Sequence, residues 1–156
     1  MNRVAIFPGS FDPFTRGHAA IVEEALRLFD HVVIAIGHNT TKSGFLEVTQ
    51  RKRLIDDTFV TNERVSCQIY TCLTGDFATQ VGACAMIRGV RNTIDFEQER
   101  ILDAANRRLY PHLTTIVMFT PASVADISST GVRELIAFGC DVDEFMPEGV
   151  KIKNYM

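Results

Sequence analysis

No apolar run in this 156-residue chain approaches the ~20 residues that a membrane-spanning helix needs, so no membrane contact is expected. The opening MNRVAIFPGS reads as a strand entering a turn. It has no basic segment followed by a long apolar one, so no secretory signal is expected and the cytoplasm is the expected compartment. The four cysteines, Cys67, Cys72, Cys84 and Cys140, make no Cys-x-x-Cys pair and have no histidine at ligand spacing beside them. That argues against a zinc module or any metal held by protein side chains. Reduced, mostly buried thiols are expected instead.

An excess of positive charge is missing too. The formal net charge of −3 argues against broad nucleic-acid binding, although a local basic site can still hold an anion. There is no G-x-x-x-x-G-K-[ST], which excludes a Walker-type NTPase. No G-x-G-x-x-G follows the first apolar run, which argues against a dinucleotide oxidoreductase. A G-x-S-x-G elbow is also absent.

What remains is 46% hydrophobic and 22% charged, the composition of a soluble globular protein. The length suits one domain, residues 1–156, with a core of its own. Apolar runs and helical periodicity alternate along the chain. Strands are expected at 3–7, 31–37, 64–70, 84–89 and 114–120. Helices are expected at 18–29, from an N-cap at Thr49 to about Val60, within 75–83, at 95–109 and from Ser128 to Gly139. Pro111 stops the fourth helix. The residues after 140 read as a loop and a short tail.

Five continuous apolar strands separated by helices predict an α/β fold, a doubly wound five-stranded parallel sheet covered on both faces. Ligands of such folds bind at the carboxyl ends of the strands, near the point where strand order reverses. The segments at those ends are PGSFDPFTRGH, HNTTK, TCLTGDF, RGVRNTIDFEQE and PASVADISST.

Their chemistry points to phosphate. His18 starts a helix, where free backbone N–H groups and the helix dipole favour an anion. Gly17, Gly9 and Ser10 let a ligand approach the backbone closely. Capping and turn geometry are the alternative for all four. Arg88 and Arg91 flank Gly89 like a phosphate clamp, since each guanidinium is a fixed fork of donors. Alternatively they pair with Asp95 and Glu99 on the next helix. Ser128 and Ser129 open the last helix, as phosphate ligands or as ordinary caps. Arg133, expected in the first turn, opposes that helix dipole. Lys42 lies in a loop, either to close over a phosphate or simply solvated. Several phosphate-binding groups without a nucleophile suggest transfer between two bound substrates by positioning and charge stabilisation.

Thr15-Arg16-Gly17-His18 in GSFDPFTRGH resembles the [HT]-x-G-H signature of the nucleotidylyltransferases. ISSTGVR, Ile127 to Arg133, resembles their second signature. With Thr15, IRGVR and DFEQE, the chain resembles the phosphopantetheine adenylyltransferase family in particular, over residues 3–147. The resemblance implies a Rossmann-like nucleotidylyltransferase fold and adenylyl transfer from ATP to 4′-phosphopantetheine, yielding dephospho-coenzyme A and pyrophosphate. His18, Lys42 and Arg91 would stabilise the transition state. Ser10, Lys42, Thr74 and Arg88 would hold the acceptor. ATP would meet Ser10, Phe11, His18, Gly89, Val90, Arg91 and Glu99, and also Val124, Ala125, Asp126, Ile127, Ser128, Ser129 and Thr130. Mg2+ would be bound through the ATP phosphates. A homohexamer and inhibition by coenzyme A are further implied. Two rivals stand beside this reading. One is a sister nucleotidylyltransferase acting on nicotinate mononucleotide or another phosphate. The other is a non-catalytic nucleotide-binding module.

Overall fold

Continuous apolar runs settle at the middle of a sheet when helices screen them from both sides. The computed structural model describes residues 2–156, and β1 (Val4–Gly9) is its central strand. Around it lie β2 (His31–Gly37), β3 (Val65–Tyr70), β4 (Ala85–Val90) and β5 (Thr114–Phe119). The order is β3-β2-β1-β4-β5 and every pairing is parallel. Strand order reverses at β1, between β2 and β4, which is where ligands of doubly wound sheets bind. Each strand lies within two residues of its expected bounds.

The helices are α1 (Arg16–Ala25), α2 (Val48–Thr58), α3 (Thr74–Gln80), α4 (Thr93–Leu109) and α5 (Ser129–Ala137). The pleat sends alternate strand residues to opposite faces. Ala5, Phe7, Val32, Ile34, Ile36 and Ile87 pack with Val22 of α1, Leu54 of α2 and Val132 of α5. Ile6, Val33, Ala35 and Met86 pack against Phe77 and Ala78 of α3.

Several expectations need correction. The α1 helix begins at Arg16 and ends at Ala25, short of Phe29, because Leu26–Phe29 turn away through short-range bonds such as Leu28 N–H to the Ala25 carbonyl. The α2 helix is capped by Glu47, not Thr49, and the Gln50 side chain returns a bond to the Glu47 N–H. The α4 helix starts at Thr93 because the Asn92 side chain caps the Asp95 N–H. Only Cys67 is buried; Cys72, Cys84 and Cys140 are exposed, and all four are free thiols.

Coverage of the sheet is uneven. β5 is an edge strand with no fully buried residue, and α4 buries none either. Ile101, Leu102, Leu109 and Phe119 are exposed on this flank. At the other end of the chain, the tail is structured. Val142, Met146, Val150, Ile152 and Tyr155 are buried in the main core, and two 3-10 turns, Asp143–Phe145 and Ile152–Asn154, shape the path. Tyr155 Oη donates to Asp57 Oδ2 of α2 at 2.8 Å, and Arg53 stacks over its ring.

Candidate active site

The β1 exit leaves the sheet through Gly9-Ser10-Phe11. Phe11 takes φ +48°, a left-handed conformation that a bulky residue holds only when its surroundings enforce it. Those surroundings are aromatic. The Phe11 ring lies 5.2 Å from Phe7, 5.4 Å from Phe14 and 5.1 Å from His18, centroid to centroid. Gly9 is required beneath it, since a Cβ there would come within 2.9 Å of the Phe11 ring.

His18 sits in the first turn of α1. Its Nδ1 accepts the Thr15 backbone N–H at 3.0 Å and lies 3.1 Å from Thr15 Oγ1. A ring nitrogen that accepts a backbone N–H carries no proton, so the neutral ring bears its proton on Nε2. Burial, reinforced by the positive charge of Arg91, pushes the imidazole pKa down to about 4. His18 is therefore an uncharged N–H donor at neutral pH. Thr15, one of the few buried polar side chains, fixes its orientation.

A cleft of about 350 Å³ opens over the β1 and β4 ends. Ser10, Phe11, His18, Arg88, Gly89, Arg91, Glu99, Ile127, Ser128, Ser129 and Thr130 line it. Thr15, Asp95, Gln98 and Thr120 are also in its wall. A second cleft, about 380 Å³, opens over the β1 and β2 ends and holds Lys42 beside His38, Arg51 and Arg133. The two meet at Ser10. Thr74, Val90, Val124, Ala125 and Asp126 line neither. Val90 and Val124 are buried in the fold. Thr74 Oγ1 bonds with Tyr70 Oη at the end of β3.

Both arginines of the expected clamp are paired with carboxylates. Arg88 lies within β4 itself rather than after it. Its Nε and Nη2 each donate to Glu99 at 2.7 Å, while Nη1 donates to the Pro8 carbonyl at 3.0 Å. Arg91 Nε donates to Asp95 Oδ2 at 3.0 Å. Burial works against the Asp95 charge, but the hydrogen bonds from Arg91 outweigh it and hold the carboxyl below its ordinary range. Pairing does not exhaust the forks, because a guanidinium has five N–H groups. The carboxylates orient the arginines and leave N–H groups for a ligand.

Ser128 caps α5 through the Gly131 N–H at 3.0 Å. Ser129 Oγ donates to the Pro13 carbonyl at 2.8 Å. Arg133 lies beyond the first turn of α5. It donates to the Asp12 carbonyl at 2.6 Å and to Thr130 Oγ1 at 3.2 Å. Its unfavourable relation to the dipole is offset by these bonds to the β1 exit.

Asp12 and Arg51 escaped the sequence reading. Both are buried. An aspartate before a proline and one arginine of the Arg51-Lys52-Arg53 run carry no local signal that sets them apart, and the bonds that join them to other segments span more than 30 residues.

The Cytidylyltransferase-like family model matches residues 6–135. The phosphopantetheine adenylyltransferase of Bacteroides thetaiotaomicron is 43% identical over 150 residues, spanning 96% of this chain and 99% of that one. That of Phocaeicola vulgatus is 46% identical with the same coverage. A more distant bacterial relative, from Rubrobacter xylanophilus, is 42% identical over 94% of this chain and 90% of its own. A bifunctional NMN adenylyltransferase/ADP ribose pyrophosphatase from Francisella tularensis superposes with a TM-score of 0.75 at 17% identity. It shares the fold over 99% of this chain, which spans 48% of that protein. A parallel sheet with a cleft at the β1 reversal, and relatives matched end to end at this identity, place the chain in the phosphopantetheine adenylyltransferase family of cytidylyltransferase-like enzymes.

Proposed function

We propose that the chain transfers the adenylyl group of ATP to 4′-phosphopantetheine, giving dephospho-coenzyme A and pyrophosphate. The observation that carries this reading is the 43–46% identity, across nearly the whole chain, to phosphopantetheine adenylyltransferases. The geometry of the two clefts supports it with a mechanism.

An oxygen of the acceptor phosphate attacks the α-phosphorus of ATP in line. The bond from that phosphorus to the bridging oxygen breaks, and pyrophosphate leaves with its electron pair. A phosphate monoester is already anionic near neutral pH, so no strong base is needed. The protein's task is to hold the reactants in line and to stabilise charge on the equatorial oxygens. Neutral His18 donates from Nε2–H to an α-phosphate oxygen. Arg91, Lys42 and the N-terminus of α5 at Ser129 add positive potential along the triphosphate.

Ser10, Lys42 and Arg88 hold the acceptor, and Thr74, which lines neither cleft, does not belong to that set. Ser10 supports this assignment because it belongs to both clefts. Phe11, Gly89, Glu99 and the segment from Ile127 to Thr130 border the nucleotide, whereas Val90 and Val124 are buried in the fold. Mg2+ would be bound through the ATP phosphates and would screen their charge. Asp95 and Glu99, the cleft carboxylates, are committed to arginines, and no cluster of three or more potential ligands occurs among the described residues. A cytoplasmic homohexamer inhibited by coenzyme A completes the reading. The exposed apolar residues of α4 and β5 support self-association.

The test is magnesium-dependent pyrophosphate release from ATP with and without 4′-phosphopantetheine. Release that requires this acceptor is the expected result. Release with nicotinate mononucleotide instead would retain adenylyl transfer and overturn the substrate. ATP binding without turnover on any acceptor would favour a non-catalytic module.

A further inference from the structure

Arg51 and Asp12 account for two of the three buried polar or charged side chains among the described residues; the third is Thr15, the orienter of His18. Burying a charge is costly unless it is fully hydrogen-bonded, so such residues are expected to have a specific task. Neither pairs with the other. Each instead ties two segments of backbone together. Arg51 Nη1 donates to the Ser10 carbonyl at 2.9 Å, and its Nε donates to the Leu46 carbonyl at 3.1 Å. Asp12 Oδ2 accepts the Phe45 N–H at 2.7 Å and Oδ1 accepts the Leu46 N–H at 2.8 Å.

These four bonds fasten the loop between β2 and α2 onto the β1 exit. Gly44 lies at their centre. A Cβ there would stand 2.8 Å from Asp12 Oδ2 and 3.2 Å from Arg51 Nη2. Lys42 is two residues upstream on the same loop, with an exposed side chain. Four flexible methylenes give it no geometry of its own, so the position of its ammonium depends on where the loop backbone is held.

We propose that Asp12 and Arg51 are positioning residues that latch the 38–46 loop to the β1 exit and thereby set Lys42 against Ser10 for the transfer. They act through the backbone rather than by touching the reacting atoms. This rests on the adenylyl-transfer reading above. A misplacement of about 1 Å in such an arrangement costs on the order of 100-fold in rate.

The test is Asp12→Asn and Arg51→Lys, each alone and combined with Lys42→Ala, with thermal melts to confirm folding. Asp12→Asn loses one of its two carboxylate acceptors. Arg51→Lys keeps the charge but cannot reach both carbonyls. Amide exchange at Phe45 and Leu46 should quicken on the order of tenfold in Asp12→Asn, since bonds to a charged acceptor are among the stronger ones. The value of kcat/KM should fall on the order of 100-fold in the single variants, and only a few-fold when Lys42 is already alanine. Equal losses with and without Lys42 would overturn the positioning role, because a merely structural defect is additive. Unchanged amide exchange would overturn the latch itself. If the wild-type protein released no pyrophosphate with 4′-phosphopantetheine, the substrate reading would fail, while the exchange measurement would still decide the latch.

Discussion

The Thr15 backbone N–H points at His18 Nδ1 from 3.0 Å, and this contact determines which form of the imidazole faces the cleft. With Nδ1 occupied and the pKa near 4, His18 serves as a neutral hydrogen-bond donor across the physiological range. Chemically this suits a group that must stabilise a phosphoryl oxygen without giving up its proton.

The ring should therefore remain neutral well below pH 6.5. Heteronuclear NMR of the imidazole should show the Nε2–H tautomer from pH 8 to about pH 5. A midpoint for His18 near 6.5 would contradict the buried, Thr15-bound ring. The sign for stability follows. Above pH 6.5 neither the folded nor the unfolded state protonates this group, and its contribution is complete. Between about 6.5 and 4 the unfolded chain takes up a proton that the folded one refuses, so stability falls as the solution is acidified. Urea midpoints in that window should drop less for His18→Asn than for the wild type.

Removing the donor tests its role directly. His18→Ala should lower kcat on the order of 100–1000-fold with little change in KM for either substrate. A kcat within a few-fold of wild type would remove His18 from the mechanism.

Glu99 should matter through Arg88. Its two 2.7 Å bonds hold the guanidinium in the plane that faces the first cleft. Glu99→Gln removes the charge and one acceptor. The pair is partly exposed, so the stability loss should be modest, about 1–2 kcal/mol in urea titration. The larger effect should be a raised KM for the acceptor. Glu99→Gln with wild-type KM values would mean that Arg88 needs no orienter.

The tail should behave as core. Ile152 is buried at 3% exposure, so Ile152→Ala should cost about 2–5 kcal/mol. Tyr155→Phe loses a single bond to Asp57 and should cost about 1 kcal/mol. Chemical denaturation of both variants checks the pair. Indifference to Ile152→Ala would return the last residues to the status of a loose end.

Much of this architecture was legible before any coordinates, for a clear reason. Runs such as VVIAI, residues 32–36, are continuously apolar, as suits a parallel strand screened on both faces. Most of the residues that line the first cleft were legible because they cluster at strand ends. What stayed hidden depends on which of several available partners, near or distant, a residue takes. Glu47 caps α2 through Gln50, while Thr49, the better capping residue type, lies inside the helix. Nothing local in TTIVMFT says that β5 is an edge. The tail has no helical period because it follows 3-10 turns, so its buried residues looked like scattered hydrophobics. Arg91 takes the local carboxylate of Asp95, four residues on, whereas the pairing of Arg88 with Glu99 is a matter of how α4 packs on β4.

The Ser10, Asp12 and Pro13 carbonyls are held by Arg51, Arg133 and Ser129 respectively. The first of these donors lies 41 residues along the chain, and the other two lie 121 and 116 residues away. A growing polypeptide has made β1 and α1 long before α5 exists, so its first signature segment gains the Arg51 anchor early but lacks the Ser129 and Arg133 anchors through most of synthesis. This segment accordingly takes its final shape only once α5 is made, and fragments that stop before α5 should not bind nucleotide.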